Sequence, residues 1–392
     1  MRVLVVTSSY PRGRDDVAGR FVREWVDCLE ARGHELRVLC WRDGRTDDPE
    51  SLDQRVRRVP YAPPRLETLF YGAGAPENLR EQPARALLAA PAAAAMLGVL
   101  ARELAVFRPD LVVGHWLVPS GLLVRLAGRI AGVPHLIVGH SGGVHLLDAL
   151  PEWPGRALAR IVLSGPVTLP SLELADKLGA LAPKAARGQI EILPMGFTAP
   201  EVTPGSSSAR RDWLCMGRHV EIKGVDLAIE AFARADLGPN VTLHVAGDGP
   251  RRAELERLAE RTGAHAQFHG FVTGEDKHRL FERCGFALFC SKRLDDGRHE
   301  GLPVSFLEAS ACGVIPLTSN IPGLAAYLAD PDRQELQTRS VAEWSERIVE
   351  FTALAADERA RLATAQREAV APLEWGRLGA RWEVALERAR SQ

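Results

Sequence analysis

Short runs of apolar residues alternate along this chain with longer stretches whose apolar positions recur at helical spacing. The runs at 3–6, 111–113 and 136–138 are continuous rather than alternating, and that at 36–40 is broken only by Arg37, as expected of strands covered on both faces. Between them, 21–32 and 122–131 read as amphipathic helices. Strand followed by helix, repeated, predicts a parallel sheet with helices on both faces. The alternation breaks after a run at 190–193, where Pro194 opens a stretch rich in Pro, Ser and Gly without periodicity. It then restarts: apolar runs at 213–216, 243–246, 286–290 and 314–317, with helices expected at 224–235, 251–262 and 303–312. A last helix, 375–389, follows Pro372 and is expected to leave the second domain and pack on the first. The chain therefore reads as α/β, with two doubly wound Rossmann-like domains facing across a cleft. The first spans 1–198 and is joined by the helix at 375–392; a linker covers 199–209; the second spans 210–374.

Length supports this division, since 392 residues exceed what one hydrophobic core usually holds. Lys and Arg (49) balance Asp and Glu (50), giving a net charge of −1, so no global field draws the chain to nucleic acid or an anionic membrane. Anion recognition must then be local. Lysine is scarce, five against 44 arginines, which makes any lysine in a chemically telling position noteworthy. The six cysteines stand singly, none in a C-x-x-C pair, as in a reduced cytosolic protein without disulfides or a zinc cage. The first eleven residues lack the features of a signal peptide and suit a buried strand. A cytoplasmic location follows as the expectation. The uncharged, alanine-rich stretch at 86–101 is interrupted by Pro91 and falls short of the ~20 residues of a membrane span. It reads as a packed helix of the first domain, with a place on the bilayer surface as the alternative.

Ligands of open parallel sheets bind beyond the carboxyl ends of the strands, so the loops there deserve the closest reading. In HEGLPVSFLEASACG (299–313), Pro303 suits the first helical position and Gly313 the position past the end. Glu300 then precedes the helix, and Glu308 lies on its second turn. The amides of Val304 and Ser305 are free to face a diphosphate, with a carboxylate on either side for hydroxyl groups. Alone, the two glutamates are equally a capped helix with a solvated acid. The segment MGRHVEIKGVDLAIEAF (216–232) places Arg218 and Lys223 in a strand-to-helix loop, where a planar fork and a compact ammonium suit a diphosphate. Taken alone, these are also readable as two surface cations.

The whole set resembles the family 4 retaining glycosyltransferases of GT-B fold. It comprises Gly217-Arg218, Lys223-Gly224, Ala246-Gly247-Asp248-Gly249-Pro250, Glu300-Gly301-Leu302-Pro303, Glu308-Ala309 and Cys312-Gly313. The first half adds Gly19-Arg20-Phe21-Val22, His115-Trp116, Pro119-Ser120-Gly121 and His140. The resemblance implies that Arg218 and Lys223 hold the donor's diphosphate, that Glu300 contacts the transferred sugar and that Glu308 binds the ribose. It implies a close approach of Gly19 to the phosphates, and makes His140 the histidine facing the reacting sugar, catalytic together with Glu300. Gly301, Leu302, Pro303 and Gly247 would complete the sugar and nucleotide side. Two places depart from the family pattern. His140-Ser141-Gly142-Gly143 is followed by no carboxylate before Asp148, and Met195-Gly196-Phe197-Thr198 stands where Asn-Gly and then Asp are usual.

Weaker signals complete the reading. Gly247-Asp248-Gly249 lacks the third glycine of a dinucleotide fingerprint and reads as a turn lining the donor site. His269 and Phe271 are placed by the nucleobase. Asp330-Pro331-Asp332 has the form of a metal-binding D-x-D but no preceding strand, and no metal site is assigned. The function expected is transfer of a sugar from a nucleotide diphosphate sugar to an acceptor hydroxyl, in polysaccharide, glycolipid or small-molecule glycoside synthesis. Side-chain cations replace a metal, no cofactor is required, and peripheral contact with the inner face of the membrane is allowed. A sugar-nucleotide 2-epimerase, a pyridoxal-dependent phosphorylase and an inactive nucleotide-sugar-binding protein are the alternatives.

Overall fold

The computed structural model describes the chain except for residues 14–15, 17, 45–52, 73, 201–209, 295–298 and 322, and the side chains of 76–77. Most of the expected linker thus lies outside the described residues. Contacts divide the chain into two units, Met1–Gly196 with Trp375–Gln392, and Phe197–Glu374.

The first unit contains, in order, β1 (Arg2–Thr7), α1 (Arg20–Ala31), β2 (Glu35–Trp41), β3 (Val56–Val59), α2 (Ala75–Glu81), α3 (Ala89–Val106), β4 (Leu111–His115), α4 (Leu122–Ala131), β5 (His135–Val138), α5 (Ser141–Asp148), α6 (Glu152–Val162), β6 (Val167–Leu169), α7 (Leu172–Leu181), α8 (Pro183–Ala186) and β7 (Ile190–Ile192). The strands pair in parallel in the order β3-β2-β1-β4-β5-β6-β7. Val3 lies opposite Leu36 on one side and Leu111 on the other, and β1 is buried throughout after its first residue. β3 carries Arg57 and Arg58 in its middle and gives no apolar run. Its place is fixed by pairing Val38 with Val56 and by Arg57, which reaches the buried Glu103 of α3 at 2.8 Å.

The alanine-rich stretch becomes α3. Pro91 sits in its first turn, where a missing N–H removes no intrahelical bond, so the helix continues past it. Ala92, Met96 and Leu100 enter the core with Trp41, Phe70 and Val112, while Leu87 is 82% and Val106 65% exposed. Pro83–Val106 is long and apolar enough to cross a membrane by length and composition, at a mean hydropathy of 1.7.

The second unit contains β8 (Asp212–Met216), α9 (Val225–Ala235), β9 (Leu243–Ala246), α10 (Arg252–Thr262), β10 (Ala266–Gly270), α11 (Gly274–Arg283), β11 (Cys284–Phe289), α12 (Val304–Ala311), β12 (Ile315–Ser319), α13 (Pro331–Gln334), β13 (Glu335–Leu336), α14 (Val341–Thr352) and α15 (Ala356–Val370). Its strand order is β10-β9-β8-β11-β12-β13, again all parallel. In both sheets the order reverses beside the first strand, at β1/β4 and at β8/β11. There successive crossovers leave to opposite sides. Two expectations shift by local chemistry. Pro303 is the cap residue before α12 rather than its first helical residue, with ψ at 129°, and Cys312 closes the helix ahead of left-handed Gly313. Asp330 caps α13 by accepting from the Arg333 amide, which gives the D-x-D a structural use.

The last helix, α16 (Trp375–Arg390), belongs to the first unit. Its fully buried Trp382 meets Trp25 of α1 edge-on, with centroids 5.6 Å apart, and donates its indole N–H to the Pro194 carbonyl at 3.3 Å. Removing a buried tryptophan costs about 3–5 kcal/mol. Trp382→Ala is expected to destabilise the first unit by that amount, read as a lowered midpoint in urea denaturation; an unchanged midpoint would show that α16 does not hold this unit together.

Candidate active site

In the second unit, the loops after β8, β9 and β11 converge. After β8, the Gly217 amide donates to the Ala246 carbonyl at 2.9 Å, holding that loop to the end of β9. Arg218 follows, exposed. Lys223 ends a single 3₁₀ turn, and Gly224 with φ 61° begins α9. A Cβ on Gly224 would lie 2.0 Å from the Cys290 carbonyl oxygen, so only glycine lets this turn rest on the end of β11. That contact carries Lys223 to Glu300: its ammonium donates to Oε1, and the Ser291 hydroxyl donates to Oε2.

Glu308, on the second turn of α12, is 8% exposed and accepts from the Lys277 ammonium at 2.6 Å. Each glutamate is therefore met by one of the chain's few lysines. Between them lies the amino end of α12. The amides of Phe306 and Leu307 turn back to the Pro303 carbonyl, while those of Val304 and Ser305 form the positive end of the helix. Ser305 also donates its hydroxyl to the Met216 carbonyl at 3.4 Å, tying the helix start to the end of β8. Gly301 and Leu302 are half-buried in the approach to α12, and Pro303 is buried. Lys277 and Ser291 were not found by reading the sequence. The scarcity of lysine was the one signal for the first, and nothing marked the second.

Three further residues of the expected set are placed as follows. The Gly247 N–H donates to the Gly270 carbonyl at 2.7 Å, so the amide is held within the turn. With φ at 136°, its Cβ would lie 1.9 Å from the Gly217 oxygen, so the glycine is a spacer that lets two loops touch. His269 turns to His244 at 2.9 Å, which in turn meets Asp212 at 3.2 Å, a chain running back across the sheet away from the carboxyl ends. Phe271 follows β10 at 53% exposure.

In the first unit, Gly19 precedes α1 with φ 69°, and its Cβ would fall 2.3 Å from the Ser9 carbonyl oxygen. The close approach it permits is to the chain's own backbone. His140 follows β5 and stands before α5. Its ring lies 5.0 Å from Phe21 and 4.8 Å from Trp116, centroid to centroid, and its Nε2 is 3.4 Å from Nδ1 of the fully buried His115. Trp116 reaches this position through a left-handed backbone, φ 68°, which costs a non-glycine residue about 1–3 kcal/mol and signals a constrained site. Helix α5 begins directly after His140, and its last residue, Asp148, pairs with Lys177 at 2.9 Å. Two turns of helix thus separate that carboxylate from the imidazole. Burial drives the His140 pKa down to about 3 and that of His115 well below the usual value, so both rings are neutral at pH 7.

Two family models match the chain. "Glycosyl transferase 4-like domain" covers residues 18–196, and "Glycosyl transferases group 1" covers 204–369. The chain belongs to the family 4 glycosyltransferases of GT-B fold. Among its relatives is TuaC of Bacillus subtilis, named as a glycosyltransferase of teichuronic acid biosynthesis, 23% identical over 90% of this chain and 89% of that protein. Another is a GDP-mannose-dependent alpha-(1-6)-phosphatidylinositol monomannoside mannosyltransferase of Mycolicibacterium smegmatis, 27% identical over 80% and 78%. Similar solved structures include sucrose-phosphate synthase of Thermosynechococcus elongatus (TM-score 0.70, 18% identity, 99% of both chains). Anabaena HepE in complex with UDP and glucose is equally similar (TM-score 0.70, 16% identity, 99% and 100%).

The two neutral histidines give this glycosyltransferase a definite acid response. Their folded pKa values lie below the ordinary 6.5, so under mildly acidic conditions the unfolded chain binds more protons than the folded one. Their stabilisation is complete above about pH 6.5 and is lost progressively below it, that of His140 as pH falls toward 3. The melting temperature of the wild type is expected to fall between pH 7 and pH 5, with a smaller fall in His140→Phe; equal slopes would contradict a neutral imidazole at His140.

Proposed function

We propose that this glycosyltransferase draws its sugar from a nucleoside diphosphate donor and passes it to an acceptor hydroxyl with retention at the anomeric carbon. One observation carries the reading: two glutamates eight residues apart, each held by a lysine, flank the free amides of α12. A linear molecule with sugar, diphosphate and ribose presents hydroxyls, negative charge and hydroxyls in that order. Glu300, the α12 amides with Arg218 and Lys223, and Glu308 offer the matching sequence of groups.

In this reading the leaving group is the nucleoside diphosphate. Arg218, Lys223 and the amides of Val304 and Ser305 stabilise the charge that grows on it, and the fixed helix end does so without reorganising. Side chains supply the positive charge, so no metal is assigned to the step. Glu300 orients sugar hydroxyls, and no nucleophile is assigned, the acceptor entering on the face that the diphosphate leaves. His140, neutral and caged by Phe21, Trp116 and His115, supplies a hydrogen-bonding group for the reacting sugar without a charge that would favour the ground state. TuaC and the phosphatidylinositol mannosyltransferases point to a surface polymer or glycolipid as product. The exposed apolar side of α3 then supplies the contact with the cytoplasmic face of the membrane.

A thermal-shift screen with UDP, GDP, ADP and dTDP sugars tests the donor site. One nucleotide series is expected to raise the melting temperature, a ligand at 100 times its Kd adding about 2.7 kcal/mol. Glu308→Ala should remove most of that shift. Lys223→Ala should lower kcat by roughly 10²–10³-fold, and EDTA should leave the rate unchanged. A screen without any shift, or a full shift retained in Glu308→Ala, would overturn the assignment, and epimer formed from donor alone would replace transfer with epimerisation.

A further inference from the structure

The amino ends of β5, β6 and β7, the edge of the first sheet remote from His140, carry a cavity of about 400 Å³. Arg125 of α4 forms part of its wall and is 0% exposed. Its Nη2 donates to the carbonyls of Val162 at 2.8 Å and Pro166 at 3.0 Å, where the carboxyl end of α6 arrives. Among the described residues, Nε and Nη1 have no partner. Fastening α6 therefore takes one nitrogen, and the other two remain as unanswered donors on a buried cation. Burial lowers the Arg125 pKa to about 10, so the group is still charged at neutral pH.

The rest of the wall increases the positive charge. Arg129, one turn along α4, is held over the cavity by Ser164, whose oxygen accepts from Nη1 at 3.4 Å while its hydroxyl donates to the Ile161 carbonyl at 2.7 Å. Two guanidinium groups kept side by side repel each other. His135 completes the set. Its Nδ1 lies 2.9 Å from the Val133 carbonyl and donates to it, leaving Nε2 as an acceptor in the neutral ring. Burial first, then the two arginines, lower the His135 pKa and keep the ring neutral.

Two glycines make room for these groups. A Cβ on Gly165 would lie 2.2 Å from Nη1 of Arg125, and one on Gly128 would lie 2.5 Å from Nδ1 of His135. Neither glycine has the positive φ that would itself call for glycine, so the space they leave is what seats the guanidinium and the imidazole. Gln189, Ala389 and Gln392 close the remaining sides.

We propose that this cavity is a binding site for a compact oxyanion that also carries a hydroxyl, namely hydrogen phosphate or the phosphate monoester of a small polyol, separate from the residues assigned to the sugar donor. Arg125 and Arg129 take the charged oxygens, as buried and paired cations do for phosphate, and Nε2 of His135 accepts from the hydroxyl. The bound anion supplies the countercharge that Arg125 otherwise lacks.

The test is titration calorimetry with inorganic phosphate and with glycerol 3-phosphate, at an ionic strength fixed with chloride. The protein is the full chain carrying Arg218→Ala and Lys223→Ala, so that the other candidate phosphate site is disabled. One equivalent of either ligand is expected to bind. Adding Arg129→Ala should weaken binding at least tenfold, and adding Ser164→Asp, which brings a carboxylate to the rim, should abolish it. Both substituted residues are exposed, and melting curves without phosphate confirm that the fold is intact. No binding in the Arg218→Ala/Lys223→Ala background, or binding that Arg129→Ala and Ser164→Asp leave unchanged, overturns the proposal. Failure of the donor assignment would show in the nucleotide screen and not in this titration.

Discussion

A parallel strand can be followed by another only after the chain has crossed back over the sheet, so all strands of such a sheet deliver their carboxyl ends to one edge. Everything chemical in the second unit rests on that constraint. Arg218, Lys223, Gly247, Ser291 and Glu300 follow three different strands, yet the sheet brings their loops to a common edge beside the β8/β11 reversal. The final approach is made by backbone against backbone. Gly224 rests on the Cys290 carbonyl and Gly247 on that of Gly217, distances at which no side chain fits. These contacts set how far Lys223 stands from Glu300, and through Ser305 and Met216 they set where α12 begins.

The two units handle electrostatics in opposite ways. Carboxylates drawn out of water need a partner, and in the second unit each site glutamate has a lysine, with Ser291 as a further donor to Glu300. Ion pairs of this kind can exchange partners with a charged, hydroxyl-rich ligand at small net change in interaction. In the first unit the corresponding strand ends and the start of α1 carry rings: His115, His140, Trp116 and Phe21 stack and tilt against one another, and burial keeps both imidazoles neutral. A cationic, ion-paired surface suits a diphosphate, and an uncharged, ring-lined one suits a sugar. Arg125 at the far edge of the first sheet follows neither scheme, being a buried charge with two nitrogens that no described residue meets.

Much of the framework could be read directly from periodicity, because strands buried on both faces leave continuous apolar runs that polar loops punctuate. The runs at 3–6, 111–113, 213–216 and 243–246 each fall within a strand, and the helices at 122–131 and 225–235 begin and end within a residue of where pattern and glycines place them. Edge elements were harder. β3 carries two arginines in four residues, and β13 is two residues long, so neither has a hydrophobic signature; tertiary pairing alone makes them strands. Pro91 looked like an interruption because a proline breaks a helix interior, yet the first turn has no hydrogen bond for it to remove.

The sequence by itself determined which residue types each unit has to offer: in the second, two glutamates at fixed helical spacing with an arginine and a lysine in one strand-to-helix loop, and in the first, a histidine after a strand. Local geometry is enough for that, since helix rise and strand alternation fix neighbours a few residues apart. Only the tertiary structure decided the partners. Lys277 reaches Glu308 across 31 positions and Lys223 reaches Glu300 across 77, separations over which no periodicity carries information. It also decided that the Gly247 amide bonds Gly270 and that His140 is neutral, because hydrogen-bond partners and desolvation depend on what the folded chain packs around a group and not on its neighbours in sequence.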